Sequence, residues 1–146
     1  MTDIEFHVNQ PDKLHYTCRL LRKAYRSGTP VVVAGEPDVL QQLDSLLWQF
    51  SSVEFVPHCR DGALANTVNA SPILLVEQAD ACAAAGVLVN IGQSLPSGFE
   101  RFKRLIEVAS SDEQDRLAAR TRWKHYQVRG YPLRRHEPAG QAALTS

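Results

Sequence analysis

The sequence predicts one three-layer α/β domain built around a mostly parallel sheet. Three observations carry this. The chain has 146 residues, 44% of them hydrophobic, which suits a single domain with its own core. Short unbroken apolar runs (VVVA within Thr29–Ala34, then Pro72–Val76 and Gly86–Ile91) have the pattern of strands buried on both faces. Helical periodicity separates several of the strand signals, and that alternation favours parallel pairing.

Taken in order, Ile4–Val8 alternates apolar and polar residues as a half-buried strand does. Lys13–Arg26 is a helix by the spacing of Leu14, Cys18, Leu21 and Tyr25, and Ser27-Gly28 is its stop. Thr29–Ala34 is a buried strand. Gly35–Pro37 turns into a second helix, about Asp38–Gln49, which holds Val39, Leu40, Leu43, Leu46 and Leu47, with Trp48 near its end. Val53–Val56 is a short extended stretch, either an edge or a loop, because Pro57 cannot donate to a sheet ladder. Residues 59–70 have the composition of a surface loop. Pro72–Val76 and Gly86–Ile91 are core strands joined by the Ala-rich segment Gln78–Ala85. Phe99–Val108 is expected to be a helix with Phe99, Phe102, Leu105 and Ile106 on one face; the alternative is a helix end followed by a short strand. Ser110–Ser111 is an N-cap site for a last helix, about Asp112–Arg129, stopped at Gly130. The domain is thus expected over residues 1–134, with 135–146 a disordered polar tail.

Several functional classes lose support. No apolar run approaches the ~20 residues that span a bilayer, so no membrane association is expected. The N-terminus has no basic region followed by an apolar stretch, so no leader is predicted and the chain is expected in the cytoplasm. Cys18, Cys59 and Cys82 are widely spaced without CxxC, and are expected to be reduced thiols. The first two strand–helix turns, VNQPDK and AGEPDV, lack both GxGxxG and GxxxxGK[ST]. Without those glycines a backbone cannot close on a pyrophosphate, so no nucleotide-binding loop and no cofactor are predicted. The five histidines show no HExxH or HxH spacing, which leaves a metal site unsupported, and no GxSxG marks a nucleophile.

Net charge is zero but unevenly spread. Residues 101–136 carry ten Lys/Arg (101, 103, 104, 116, 120, 122, 124, 129, 134, 135) against four Asp/Glu (107, 112, 113, 115). Within Arg116–Tyr131, helical spacing places Arg116, Arg120, Trp123 and Tyr126/Gln127 on one side, with Lys124 beside them. Cations beside large rings suit an acidic chain with an apolar end. They equally suit single-stranded nucleic acid, where bases stack and phosphates pair. A third reading makes Trp123 and Tyr126 core residues of a terminal helix.

The chain also resembles the chi subunit family of bacterial DNA polymerase III. The matching pieces are Ile4–Val8, AYRSGTPVVVAGE (Ala24–Glu36), LDSLLWQF (Leu43–Phe50), FVPH (Phe55–His58) and the closing box RTRWKHYQVRGYPL (Arg120–Leu133). The resemblance implies a Rossmann-like fold without a nucleotide site and a non-catalytic, accessory role in DNA replication. It implies a heterodimer with the psi subunit, which links chi to the clamp loader. It also implies binding of the acidic C-terminal tail of single-stranded DNA-binding protein (SSB), which ends in a Pro-Phe carboxylate. Single-stranded DNA would then be met indirectly, through SSB. On this resemblance the tail site falls on Arg120, Trp123, Lys124, Gln127, Val128, Gly130 and Tyr131. The psi-facing surface falls near Phe55, Val56 and Pro57. A single-stranded nucleic-acid-binding module and a small Rossmann-like nucleotide-binding enzyme remain the alternatives.

Overall fold

A computed structural model describes residues 2–49, 59–60, 73–77 and 86–137. The predicted extended stretch Val53–Val56, the residues Phe55–Pro57, and 138–146 lie outside the described residues. The elements run β1 (Asp3–Gln10), α1 (Lys13–Arg26), β2 (Val31–Ala34), α2 (Pro37–Gln49), β3 (Cys59–Arg60), β4 (Ile73–Val76), β5 (Val87–Asn90), β6 (Arg104–Ser110), α3 (Glu113–Val128) and β7 (Leu133–His136). Among the described residues, seven strands form one sheet in the order β3-β4-β2-β5-β6-β1-β7, every pair parallel.

The sheet divides the core in two. Val31, Val33, Ile73, Leu75, Val89, Ile91, Ile106 and Val108 face α1 and α2, which bring Cys18, Leu21, Leu40, Leu43 and Leu47. Ile4, Phe6, Val32, Leu74, Leu88, Leu105 and Ala109 face the other way, toward Ala119 and Tyr126 of α3. Covering both faces is why the inner strands are continuous apolar runs and not alternating ones. This is the three-layer, Rossmann-like α/β arrangement the sequence predicts.

Helix α1 has the predicted bounds. Asp12 caps it by accepting from the backbone N–H of His15, and Gly28 ends it at φ 74°. The expected helix over Phe99–Val108 is not formed. A 3-10 turn covers Phe99–Arg101, and the chain is extended from Phe102 onward. Strand β6 then runs through the middle of the sheet, between β5 and β1. Leu105, Ile106, Glu107, Val108 and Ala109 are all buried. A helix would have turned part of that run toward water, whereas a strand flanked on both edges and covered on both faces hides all five. The alternative of a helix end followed by a strand is closer to what forms.

Three smaller differences follow. Cys59–Arg60, expected in a loop, pairs with β4 as the edge strand β3. The N-cap of α3 is Asp112, whose carboxylate accepts from Asp115 N, and Ser110 Oγ accepts from Asp112 N. Strand β7 takes in Arg135 and His136, the first residues of the expected tail, by pairing with β1.

Candidate functional site

Helix α3 presents two unlike sides. Its inner side carries Asp115, Ala119, Arg122 and Tyr126, all buried. The Arg122 guanidinium reaches Glu107 on β6, with Nε 2.9 Å from Oε1, while Nη1 donates to the Gln93 carbonyl at 2.8 Å. Asn90 Nδ2 donates to Glu107 Oε1 at 2.8 Å, and Tyr126 OH donates to Oε2 at 2.5 Å. Glu107 is fully buried, and burial pushes its carboxyl up against the pull of Arg122, Tyr126 and Asn90. The Tyr126 hydroxyl is raised, first by burial and then by the Glu107 carboxylate. At the start of α3, Asp115 accepts from Ser110 N at 2.6 Å and from Lys13 Nζ at 3.1 Å, which fixes the helix against α1. These groups build the scaffold and leave no acceptor exposed for chemistry.

The outer side of α3 meets the edge of the sheet. Phe6 and Val8 alternate onto this face of β1. Asn9, at φ 55°, marks the register shift between β1 and β6. Arg135 of β7 stands opposite Phe6 in the parallel register. Together with Ala109, Arg116, Ala119, Arg120 and Trp123 they line a groove of about 360 Å³. The half-buried Trp123 ring meets Phe6 edge-on, with centroids 5.2 Å apart, so an aromatic floor lies between arginines from both sides. Among the described residues, the side chains of Arg116 and Arg120 find no hydrogen-bond or ion-pair partner.

The groove brings together part of the predicted box. Arg120 and Trp123 line it. Lys124 is exposed and follows Arg120 around the same side of the helix. Gln127 is exposed on the next turn, and Val128 is 84% exposed. Gly130 ends α3 at φ 80°, its N–H bonded to the Gln127 carbonyl. Tyr131 then folds back against Phe99 and Tyr126, with centroids 5.4 and 6.2 Å away. Its ring therefore supports the helix end and does not line the groove. Tyr126, read as a possible member of the box, is wholly core. Arg116, left out of the tail site that the resemblance implies, stands in the groove wall, as do Phe6, Val8, Asn9 and Arg135. The alternation of Ile4–Val8 held the signal that Phe6 and Val8 share a face; nothing local said that α3 lies beside it.

The usual ligand crevice of a parallel α/β sheet lies beyond the carboxyl ends of its strands. Here that position is lined by Glu36, Glu77, Asn90, Gly92 and neighbouring loop residues, with no Lys or Arg among them. A Cβ added at Gly92 would sit 2.9 Å from the Glu36 carboxylate, which packs on the Gly92 backbone and accepts from Gln93 N. Among the described residues, the charged side chains at this crevice are the carboxylates of Glu36 and Glu77.

Comparison with known proteins points one way. The family model described as DNA polymerase III chi subunit, HolC, matches residues 1–134. A DNA polymerase III subunit chi from Pseudomonas aeruginosa is 29% identical over 141 residues, covering 93% of this chain and 96% of the relative. One from Haemophilus influenzae is 26% identical over 117 residues, covering 80% and 81%. The chain belongs to the DNA polymerase III chi subunit family.

Proposed function

We propose that this chain is a non-catalytic accessory subunit whose α3–β1–β7 groove receives the acidic C-terminal tail of SSB. The observation that carries this is the groove itself: Arg116 and Arg120, without partners among the described residues, stand over an aromatic floor, while Arg135 on the far wall pairs with Glu137. The tail's terminal carboxylate and acidic side chains pair with Arg120 and Lys124, and its final Phe packs against Trp123. The groove volume is within the ~300–1,000 Å³ typical of pockets that hold small ligands. Exposed ion pairs contribute only about 0–1 kcal/mol each, so the ring contact anchors the tail while the cations speed encounter. Binding therefore weakens as salt rises. Pairing with the psi subunit is assigned to the neighbourhood of Phe55, Val56 and Pro57 on family resemblance, and would connect the chain to the clamp loader.

The test is calorimetric titration with an acidic peptide ending in Phe, beside the same peptide ending in Ala. The Phe peptide binds, and the Ala peptide, Trp123→Ala and Lys124→Glu each weaken binding. Unchanged affinity in both variants contradicts the site. A gel shift with single-stranded DNA and this chain alone tests the nucleic-acid reading: retardation without SSB would favour that alternative.

A further inference from the structure

A second cluster lies on the opposite face of β1. Glu5 and His7 are two residues apart on one strand, so both point toward α1. His136 stands opposite His7 in the parallel register with β7. One ligand atom from each of the three lies within 4.8 Å of the others. His136 Nε2 is 2.9 Å from Glu5 Oε1, and His7 Nε2 is 3.8 Å from the same oxygen. In a tetrahedral zinc site with bonds of ~2.0–2.1 Å, ligand atoms stand roughly 3.3 Å apart. The 2.9 and 3.8 Å spacings bracket that value and the third is no more than 4.8 Å, so closing the set onto an ion needs side-chain adjustment.

Two details single this cluster out from a chance grouping. His7 is 8% exposed, yet its buried Nε2 has no hydrogen-bond partner among the described residues. A buried polar nitrogen without a partner is costly, and a bound ion would relieve it. The other ring nitrogen, Nδ1, is hydrogen-bonded to Tyr16 OH. An outer-shell bond of this kind fixes ring orientation in metal-ligating histidines and leaves Nε2 to the metal. Arg104 engages Oε2 of Glu5, so Oε1 is the oxygen left facing both imidazoles. The cluster opens into a cavity of about 500 Å³ beneath α1, with room for a water or small anion beside the ion.

We propose that Glu5, His7 and His136 bind one divalent transition-metal ion, Zn²⁺ foremost, with a fourth coordination position open to the cavity. The donor set of two imidazoles and a carboxylate suits zinc and its neighbours and not Mg²⁺ or Ca²⁺, which prefer oxygen shells. The ion ties edge strand β7 to β1. Sequence spacing could not show this, because His136 joins a Glu-x-His pair from the far end of the chain.

The test uses the full chain, stripped with EDTA and titrated with Zn²⁺ by calorimetry, then with Co²⁺ by visible absorption. The site predicts one tight ion per chain, a Co²⁺ spectrum without a thiolate charge-transfer band, and a higher Tm with Zn²⁺. Loss of even an outer-shell partner costs about 10–100-fold in affinity, so His136→Ala should lose at least that much and Tyr16→Phe about tenfold. His136 is exposed on an edge strand, so its variant should fold; His7→Gln provides a second. His125→Ala, on α3, should bind as the parent does. Unchanged affinity and stoichiometry in folded His136→Ala and His7→Gln, or a thiolate band with Co²⁺, would overturn the proposal.

Discussion

Arg120 and Arg122 are two residues apart on one helix and have opposite fates. Two residues on an α-helix turn through about 200°, so one points out where the other points in. Arg122 is 2% exposed and locked to Glu107; Arg120 is exposed and lines a groove. The same residue type thus stabilises the fold on one side of α3 and is left for a partner on the other. Counting charge along the chain merges the two. Arg122 and Arg104 are already matched by Glu107 and Glu5, so the cation excess available to a ligand is smaller than the sequence total suggests.

Breaking the inner side should cost most. Arg122→Ala leaves the Glu107 carboxylate buried and unpaired, and should destabilise the fold by about 3–5 kcal/mol in urea denaturation. The double change Glu107→Leu with Arg122→Met should recover only part of that, since it removes both charges but leaves Tyr126 OH and Asn90 Nδ2 without their acceptor. Tyr126→Phe removes one hydrogen bond to a charged acceptor and should cost about 1.5–3 kcal/mol. In neither Arg122→Ala nor Tyr126→Phe should the folded fraction lose peptide affinity selectively.

Buried groups on the α1 face should give stability its pH dependence. Burial, and then the nearby His136, lower the His7 pKa from 6.5 to about 4. The unfolded chain therefore takes up a proton first as pH falls. Stability should be fully present above about pH 6.5 and decline as pH drops toward about 4. Burial alone would raise Glu5, but Arg104 and the two histidines hold it below its ordinary value, which adds loss of the same sign at lower pH. Urea midpoints measured in EDTA should follow this slope, and His7→Gln should flatten it; a parental slope in the variant would contradict the assignment. The exposed residues should matter least to stability. Asp112→Ala removes the α3 cap and should cost about 1 kcal/mol. Arg120→Glu and Lys124→Glu should stay within about 0.5 kcal/mol of the parent while weakening peptide binding, which separates the outer side from the inner.

Helix α1 and strands β2, β4 and β5 were legible because each has a local signature: helical spacing with a cap and a stop, or a short apolar run. Strand β6 was not, because Glu107 breaks its apolar run and Phe99, Phe102, Leu105 and Ile106 fall at helical intervals. The reason an acid sits mid-strand, its bond to Arg122, spans 15 residues and two elements. Of the candidate site, Arg120, Trp123 and Lys124 were legible from their spacing and the family resemblance. The opposite wall, Phe6, Val8 and Arg135, was not, since only the pairing of β7 with β1 beside α3 assembles it. Tyr126 and Tyr131 have the residue types of a binding surface and are held by the core instead.

The outer side of α3, with the β1–β7 edge, is the surface proposed to take an acidic tail. Amide chemical-shift mapping of the ¹⁵N-labelled chain against an acidic peptide ending in Pro-Phe tests it most directly. The predicted result is saturable shifts concentrated at Phe6, Val8, Arg116, Arg120, Trp123, Lys124 and Arg135. Saturable shifts that spare these residues and gather elsewhere would contradict it.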